Sequence, residues 1–498
     1  MPSVSSYFTT INKLRGKPLN TNERKLVGSA YALAEQAHEG QKRANGEPYF
    51  SGHCVPVSYN VASLGMDADM IAAALLHDTL EDTTVTYQEV EAATNRDVAD
   101  MVEAVSKLSK IKYHGNERHV ESLRKFFVAS AKDARVVVLK LCDRWHNLET
   151  LVYLPEAKRQ RIARESILIH AQLASRMAMG NLAVLLKDLA FPFAYPEKYE
   201  HTRIVIERAL NVASKIIESM YRQLHIVSHE SLGYTPKVDK RIKSLYSAYR
   251  KLERKDWDVA QLYDLVALRI IVKNVEDCYK LLGAIHQRWQ PMPGRMKDYI
   301  ALPKPNGYRS LHTTVLSGSG LAVEIQIRTE SMHSFNEYGI ASHHGYKNRQ
   351  AGERRETFDW MSQLLELNSA RLSSDEYIRE LESDFFQDRI FALTPRGDVI
   401  DLPAGGTILD FAYAVHSDIG DSAQGGVMNG KYCALNTPII SESVIEIVRN
   451  PKGRPSKKWL EWVKTSHART KIRKNLSEQR RGISRVVAKI RRTKSPLV

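Results

Sequence analysis

The spacing of the hydrophobic residues changes along the chain, and this change limits what the chain can fold into. In the first 200 residues apolar side chains recur at every third and fourth position, as in "RKLVGSAYALAEQAH" and "RVVVLKLCDRWHNLETL", which predicts an all-α block. After "FPFAYPEKYE" and one more helix, β-rich segments such as "YDLVALRIIV", "DYIALPK" and "LAVEIQIRT" alternate with a helix around "CYKLLGAIHQRW". That alternation indicates an α/β domain. A chain of 498 residues is also too long for one hydrophobic core, so we predict a multidomain protein.

A third, smaller unit is predicted near the end of the chain. A polar helical linker, "RLSSDEYIRELESDFFQD", leads into "RIFALTPRGDVIDLP", where we expect a β-hairpin around Pro395–Asp398. A helix at "TILDFAYAVHSDIG" and further strand-like segments follow. From Pro451 onward sixteen lysines and arginines face only Glu461 and Glu478. This basic segment is either a solvated tail or a contact for RNA phosphates.

Composition narrows the class of protein and its partners. The formal net charge of +15 favours polyanionic partners such as nucleotides or RNA. The four cysteines lie far apart without a CxxC pair, which argues against a disulfide framework and against a cysteine zinc site. The longest apolar run is too short to span a bilayer, and the first residues lack the apolar core of a secretory signal. We therefore expect a cytoplasmic protein.

The segment "LLHDTLEDT" sets ionisable side chains directly after a helix that is apolar on every side. Such a cluster is costly in a core unless it is paired or bound to metal. His53, His77, Asp78 and Asp143 come from three separate helical segments and offer two imidazoles and two carboxylates. This mixed set favours a hard divalent ion such as Mn²⁺, with Fe²⁺ and Zn²⁺ as alternatives. A polar cluster at a helix end, without metal, is the competing interpretation.

The all-α block resembles a known hydrolase domain. "GQKRANGEPYF", "AAALLHDTLEDT" and "VVVLKLCDRWHNLETL" are similar, in order and separation, to the HD-type phosphohydrolase domain of the RelA/SpoT homologues, the enzymes of (p)ppGpp. The resemblance implies Mn²⁺ as cofactor. By the same likeness, His53, His77, Asp78 and Asp143 are ligands, Glu81 and Asp82 are the catalytic acids, and Arg43 and Asn147 contact the nucleotide. Ala44 departs from the lysine that is usual in the family.

A second group of polar residues lies on the α/β block. In "VEIQIRT", Glu324, Gln326 and Arg328 alternate with apolar residues, so one face of the strand is predicted to be buried and the other to form the floor of a site. Asp264 on a neighbouring strand could share Mg²⁺ with Glu324 through nucleotide phosphates. The loop "PKPNGYRSLH" presents Tyr308 for stacking. An ordinary one-sided sheet surface is the alternative.

Residues 235–347 resemble the RelA/SpoT synthetase domain almost continuously, through "YDLVALRIIV", "IHQRWQPMPGRMKDYIALPKPNGYRSLHTTV" and "VEIQIRTESMH". The resemblance implies transfer of the β,γ-pyrophosphoryl group of ATP to the 3′-oxygen of GTP or GDP. It implies Mg²⁺ on Asp264, Glu324 as general base and Tyr308 stacked on guanine. The implied nucleotide and phosphate contacts are Arg241, Lys243, Lys297, Lys304 and His312. The basic "RMKD" motif is similar to that of bifunctional members, whereas Arg309 and His344 depart from the usual residues.

Residues 389–450 resemble a TGS domain, in which His416 matches a position that can contact the tRNA 3′ end; a scaffold role is the alternative. We thus predict an HD-type hydrolase domain over residues 1–200, a nucleotidyltransferase-like synthetase domain over 201–350, a helical linker over 351–386, a β-grasp-like TGS domain over 387–450 and a basic helical segment over 451–498. The expected function is bifunctional (p)ppGpp synthesis and hydrolysis. The alternatives are a hydrolase with a silent synthetase and an inactive regulatory or RNA-binding remnant, and tRNA or the ribosome is a possible partner.

Overall fold

A computed structural model of the chain describes residues 3–109, 133–262, 264–304, 306–339, 389–451 and 453–478, together with Ser373 and Glu376. The chain divides into two compact units, Met1–Ser362 and Gln363–Val498. The predicted linker lies outside the described residues apart from Ser373 and Glu376, and so do the last twenty residues of the basic segment. The predicted domain boundaries stay predictions.

The first part of the first unit is helical, as predicted. Its α-helices are α1 (Val4–Arg15), α2 (Thr21–Ala37), α3 (Val55–Ser63), α4 (Ala68–Leu76), α5 (Thr79–Asp82), α6 (Tyr87–Ala93), α7 (Arg96–Ser109), α8 (Ala134–Glu149), α9 (Glu156–Glu165), α10 (Ala171–Arg176) and α11 (Gly180–Ala194). Two π-helical turns, Phe50–Cys54 and Ser166–His170, and a 3₁₀ turn, Leu151–Tyr153, connect some of them. Helix α4 lies at the centre against α2, α3 and α7. Its residues Met70–Leu76 are completely buried, which fixes the place at which the polar residues after it emerge.

The α/β part follows the long helix α12 (Pro196–Leu232). Its remaining helices are α13 (Leu245–Glu253), α14 (Val275–Arg288) and α15 (Glu330–Tyr338), with a 3₁₀ turn at Val259–Gln261. The strands are β1 (Lys237–Ile242), β2 (Val266–Val272), β3 (Lys297–Asp298), β4 (Leu311–Leu316) and β5 (Ala322–Thr329). They form one sheet in the order β1-β2-β5-β4-β3, in which β2 and β5 are parallel and the other neighbours antiparallel. The apolar sides of β2 and β5 pack with α12 and α14 in one core.

Two local predictions in this domain need correction. Of the segment "DYIALPK" only Asp298 lies in a strand, the short Lys297–Asp298, because the Asp298 carboxylate accepts hydrogen bonds from the backbone N–H groups of Ile300 and Ala301 and closes a turn. The polar face of β5 is also less open than expected. Gln326 is 7% exposed and Arg328 is not exposed at all. Arg328 is in contact with Tyr308 and Glu337 from other segments, and Gln326 is hydrogen-bonded to its strand neighbours Glu324 and Arg328.

The second unit contains the predicted hairpin, formed by β6 (Arg389–Leu393) and β7 (Val399–Pro403), with Gly397 at a φ of +91° in the turn. A three-stranded sheet has the order β10-β8-β9, from β8 (Ala423–Met428), β9 (Lys431–Cys433) and β10 (Ile445–Arg449). Instead of the one helix predicted over 407–420, the structure has α16 (Ile408–Val415) and α17 (Ser417–Asp421), because the extended His416 separates them and caps the second. Helix α18 (Trp459–Trp462) and helical residues 466–478 follow.

All four cysteines are free thiols; Cys54, Cys142 and Cys278 are buried and Cys433 is partly exposed. Within the described ranges no helix has the length and apolarity needed to cross a membrane.

Candidate active sites

The first candidate site forms where helix α4 stops. Asp78 has φ −102° and ψ −2°, so the helix is interrupted between Leu76 and Thr79 and does not continue through the acidic residues. The interruption is stabilised locally: the Thr79 hydroxyl donates to the carbonyl of Leu76 at 2.7 Å, and His77 Nδ1 lies 2.9 Å from the carbonyl oxygen of Ala74. That contact places the proton of His77 on Nδ1. Its Nε2 atom faces the site, where it presents a lone pair once a metal ion takes the place of a proton.

Three of the four predicted ligands, His53, His77 and Asp143, bring their ligand atoms together, and the Asp78 carboxylate lies beside both imidazoles. His77 Nε2 lies 3.2 Å from His53 Nε2, 3.0 Å from Asp78 Oδ2 and 3.9 Å from Asp143 Oδ1. His53 Nε2 lies 3.3 Å from Asp78 Oδ2 and 3.4 Å from Asp143 Oδ1. Ligand atoms with bonds of ~2.1 Å around one ion are themselves separated by roughly 3.0–3.4 Å. The two imidazole nitrogens and the Asp143 oxygen are grouped closely enough to hold a divalent metal ion, and Asp78 Oδ2 lies 3.3 and 3.0 Å from the two nitrogens.

The electric field at this point favours positive charge. Burial alone would raise the pKa of Asp78, but the imidazoles of His77 and His53 hold it well below its usual range. Burial would also raise the pKa of Asp143, but Lys140 and the two imidazoles hold it well below its usual range. Although burial lowers the pKa of His77, the Asp78 carboxylate raises it to about 9. Because both carboxylates are ionised and buried, a bound cation would satisfy them.

The predicted nucleotide contacts lie beside the cluster. Arg43 Nη2 donates to Asn147 Oδ1 at 3.2 Å and to the Thr150 hydroxyl at 2.8 Å. Asn147 in turn donates to Asp143 Oδ1 at 2.5 Å, so the structure brings both predicted residues together at the rim of the site. Thr150 was missed by the sequence reasoning, although it lies three residues after Asn147 at the end of α8.

The predicted catalytic acids lie on the short helix α5 that directly follows Asp78. Glu81 is half-buried and Asp82 is exposed. The backbone carbonyl of Asp82 accepts from the amide of Gln41 at 2.8 Å, which ties α5 to the loop before Arg43. Both acids therefore lie within about one helical turn of the predicted ligand Asp78 along the chain.

Three further residues in contact with the ligands were not predicted. The Tyr49 hydroxyl donates to Asp78 Oδ2 at 2.7 Å, Lys140 Nζ donates to Asp143 Oδ2 at 2.8 Å, and His146 Nδ1 lies 2.8 Å from His53 Nδ1. Lys140 and His146 lie one helical turn on either side of Asp143, a spacing that could have indicated them. Tyr49 gave no such signal, because its contact with Asp78 bridges 29 residues.

The second candidate site lies on the sheet of the α/β domain, around Glu324. Glu324 Oε1 accepts from Gln326 Nε2 at 2.6 Å and lies 3.2 Å from His312 Nδ1. His312 Nε2 is 2.8 Å from the Tyr308 hydroxyl, which accepts from Arg328 Nη2 at 3.1 Å. A carboxylate only accepts, so His312 carries its proton on Nδ1 and accepts from Tyr308 at Nε2. The result is a one-directional series of hydrogen bonds that ends on Glu324, which we call the Glu324 relay: Arg328, Tyr308, His312 and Glu324.

The relay keeps the Glu324 carboxylate ionised. Burial raises its pKa, but the hydrogen bonds from His312 and Gln326 outweigh burial and the net pKa is lowered. Burial lowers the pKa of His312, which favours its neutral form. An ionised carboxylate next to a neutral imidazole can accept a proton from a substrate hydroxyl.

Asp264 precedes β2 and is held by two lysines. Its Oδ2 atom accepts from Lys243 Nζ at 2.8 Å and also from Lys251 Nζ. Burial would raise the pKa of Asp264, but the two ammonium groups lower it to about 2. Because the parallel pairing sets Ala267 opposite Glu324, Asp264 and Glu324 approach the same end of the sheet.

The other predicted nucleotide contacts surround Tyr308. Lys304 Nζ lies 5.1 Å from the centre of the Tyr308 ring, and Lys297 on β3 pairs with His312 on β4. An open cavity of about 230 Å³ is lined by Arg241, Tyr308 and Arg328, together with Lys187 of the helical part. Gly307 is needed beside it, because its φ is +78° and a Cβ atom would lie 2.7 Å from the ring of Phe335. His344 lies outside the described residues.

In the second unit the predicted RNA-contacting residue is on the surface. The His416 side chain is 64% exposed and accepts from the backbone N–H of Asp418 at 3.2 Å.

Comparisons with known proteins agree with the three predicted kinds of domain. Residues 30–180 match the HD domain model, residues 240–351 match the model of a region found in RelA/SpoT proteins, and residues 390–449 match the TGS domain model. The chain is 40% identical over 480 residues to the bifunctional (p)ppGpp synthase/hydrolase SpoT of Escherichia coli strain K12, an alignment that covers 95% of this chain and 68% of that protein.

Two further relatives extend the comparison. A GTP pyrophosphokinase of Myxococcus xanthus is 38% identical over 462 residues, with 92% of this chain and 61% of that protein covered. The crystal structure of small alarmone synthetase 2 from Bacillus subtilis is 26% identical and covers 35% of this chain and 93% of that chain, with a TM-score of 0.25. The assignment rests on the sequence matches. Because it carries these three domains and spans 68% of a relative to which it is 40% identical, the chain belongs to the RelA/SpoT family.

Proposed function

We propose that the chain is a bifunctional (p)ppGpp enzyme. Its helical part hydrolyses the 3′-pyrophosphate of (p)ppGpp, and its α/β part transfers the β,γ-pyrophosphoryl group of ATP to the 3′-hydroxyl of GTP or GDP. The observation that carries the proposal is the grouping of His53, His77 and Asp143, whose ligand atoms lie within 4.8 Å of one another, with Asp78 Oδ2 at 3.3 Å from His53 Nε2 and 3.0 Å from His77 Nε2. The names of the relatives, a (p)ppGpp synthase/hydrolase and a GTP pyrophosphokinase, support both activities.

In the hydrolase, the four ligands hold a divalent ion, for which we propose Mn²⁺. When bound, such an ion supplies hydroxide near neutral pH by lowering the pKa of a water. Glu81 and Asp82 orient the attacking water and carry its proton away. Arg43 and Asn147, already joined at 3.2 Å, hold the nucleotide at the rim of the site.

In the synthetase, Glu324 takes the proton of the acceptor's 3′-hydroxyl. The relay fixes the direction of its carboxylate, since His312 lies 3.2 Å away and is itself held by Tyr308. The Tyr308 ring stacks on guanine, and Arg241, Lys243, Lys297 and Lys304 neutralise the phosphates. Alignment and charge neutralisation account for most of the catalysis in transfers of this kind.

We propose Mg²⁺ as the synthetase cofactor, with Asp264 as its protein ligand. The donor chemistry fits, because Mg²⁺ is bound by one or two carboxylates together with substrate phosphates. The lysines that pair with Asp264, Lys243 and Lys251, are long enough to turn toward those phosphates. Nucleotide binding would then leave the carboxylate available for the ion.

We also propose that the TGS region contacts RNA. The exposure of His416 and the basic residues after Pro451 support this partner. The measurement is binding of deacylated tRNA by the full chain, in which His416→Ala should weaken the affinity at constant salt. Equal affinities of the two proteins would argue for a scaffold role.

A pair of nucleotide assays tests the enzymatic proposal. The purified chain is given ATP and GDP with Mg²⁺ in one assay and ppGpp with Mn²⁺ in the other. Glu324→Gln should abolish synthesis and leave hydrolysis, whereas Asp78→Ala should abolish hydrolysis and leave synthesis. Removal of divalent metal with a chelator should stop both. Hydrolysis without synthesis in the unmodified chain would indicate a hydrolase with a silent synthetase, and the absence of both reactions would refute the proposal.

A further inference from the structure

His146 is buried against the proposed metal ligand His53. It lies on α8, three residues after Asp143, and its residue surface is 6% exposed. The Nδ1 atoms of the two rings are 2.8 Å apart, and the ring centres are 5.0 Å apart. A separation of 2.8 Å between two nitrogens is a hydrogen bond, so one ring donates and the other accepts.

The direction of this hydrogen bond follows from what the other side of His53 does. His53 Nε2 faces His77 Nε2, Asp78 Oδ2 and Asp143 Oδ1, so that nitrogen must present its lone pair if it binds a metal. A neutral His53 then carries its proton on Nδ1. His53 therefore donates from Nδ1, and Nδ1 of His146 is the acceptor.

The second ligand histidine is fixed in the same tautomer by a different partner. His77 donates from Nδ1 to the backbone carbonyl of Ala74 at 2.9 Å. Metal-binding histidines usually donate their other N–H to a carbonyl or a carboxylate. At His53 an imidazole takes that place. A carboxylate there would add a third negative charge next to Asp78 and Asp143, whereas a neutral ring accepts the hydrogen bond without adding charge.

We infer that His146 is a positioning residue of the metal site, which fixes the tautomer and the ring orientation of His53 by accepting a hydrogen bond at Nδ1. This inference rests on the proposed hydrolase function, and specifically on a divalent ion held by His53. His146 does not touch the substrate in this assignment. Its contribution is to metal affinity, which can be measured without any turnover.

The test compares two substitutions that differ in one property. In His146→Asn the side-chain oxygen occupies nearly the position of Nδ1 and still accepts from His53. His146→Leu fills a similar volume but has no acceptor. Mn²⁺ is titrated into the metal-depleted full chain, and free Mn²⁺ is followed by its electron paramagnetic resonance signal. Thermal unfolding of the metal-free proteins checks that each variant is folded.

We expect His146→Leu to bind Mn²⁺ about 10- to 100-fold more weakly than the unmodified chain. His146→Asn should bind within about threefold of the unmodified chain, because the acceptor is kept. Equal affinity of the leucine variant would overturn the inference, and so would equally weak binding by both variants, since packing rather than the acceptor would then matter. If the unmodified chain and both variants fail to bind Mn²⁺, the proposed metal site itself is wrong.

Discussion

The hydroxyl of Tyr308 joins Arg328 to His312 in the Glu324 relay. Removing this hydroxyl tests the relay and keeps the ring that we propose to stack on guanine. In Tyr308→Phe the ring stays, but His312 Nε2 loses its donor at 2.8 Å and Arg328 Nη2 loses an acceptor at 3.1 Å. Arg328 is fully buried, so water does not easily replace the lost acceptor. An ordinary hydrogen bond contributes about 1 kcal/mol and one to a charged group about 1.5–3 kcal/mol. The free energy of unfolding should fall by roughly 2–4 kcal/mol.

The effect on synthesis should be confined to the chemical step. His312 orients Glu324, and loss of about 1.4 kcal/mol of that orientation in the transition state lowers kcat about tenfold. The Michaelis constant for GDP should change less than about threefold, because the stacking surface is unchanged. The assay is steady-state synthesis from ATP and GDP well below the unfolding temperature, with ppGpp hydrolysis measured on the same samples.

Tyr279→Phe is the matched control. It also removes a tyrosine hydroxyl in the same domain. Tyr279 is 40% exposed, and its hydroxyl donates to Asp298 at 2.9 Å. It should leave kcat within about twofold, since exposed hydrogen bonds contribute little. A higher Michaelis constant with unchanged kcat in Tyr308→Phe would refute the relay and indicate that the hydroxyl contacts the nucleotide directly. A parallel loss of hydrolysis would indicate a global effect.

Other predictions concern stability. Glu337→Gln removes the carboxylate that lies 2.8 Å from the Arg269 guanidinium and 3.8 Å from that of the buried Arg328, and should lower the free energy of unfolding in urea by about 3–5 kcal/mol. The exposed Glu330→Gln in the same helix should change it by less than about 0.5 kcal/mol. Burial lowers the pKa of His170 to about 3. As pH falls below about 6.5, the unfolded chain takes up a proton at this residue and the folded chain does not, so the folded state is destabilised. Between pH 7.5 and 5.5 the free energy of unfolding of the unmodified chain should fall by about 1.4 kcal/mol more than that of His170→Gln. Asp410 is fully buried and accepts from the backbone and the hydroxyl of Thr465, so Asp410→Ala should speed hydrogen exchange in residues 466–478 at least about tenfold, and unchanged exchange would contradict this reading.

The chemistry of both sites could be predicted from the sequence because residue types and motif spacing are local properties. The segment "LLHDTLEDT" predicts a polar cluster at the end of a buried helix, and the structure has a polar cluster directly after helix α4. The observed geometry differs from a continuous helix, because the φ and ψ angles of a single residue can interrupt a helix. Asp78 leaves the helical path, so His77 and Asp78 point at a common centre, whereas the uninterrupted spacing would have spread the acids along one face.

The partners of those residues could not be predicted, because they come from distant parts of the chain. Tyr49 reaches Asp78 across 29 residues, and His146 reaches His53 across 93. The sequence showed that Arg328 alternates with apolar neighbours along its strand. The burial of its whole side chain involves Tyr308 and Glu337, which come from other segments. No pattern within a single strand reports what will cover it.

The succession of an all-α part, an α/β part and a small β-rich part follows from the sequence alone, since the period of the hydrophobic residues sets which face of each element is buried. The residue types available for chemistry at the candidate sites follow from it as well. The protonation and direction of those groups depend on contacts that form in the folded protein. The Nε2 atom of His53 faces His77 and the two aspartates while its Nδ1 lies 2.8 Å from His146, and the pKa of Glu324 is lowered because His312 and Gln326 outweigh its burial. Hydrogen bonds and desolvation depend on distances between segments, and folding alone sets those distances.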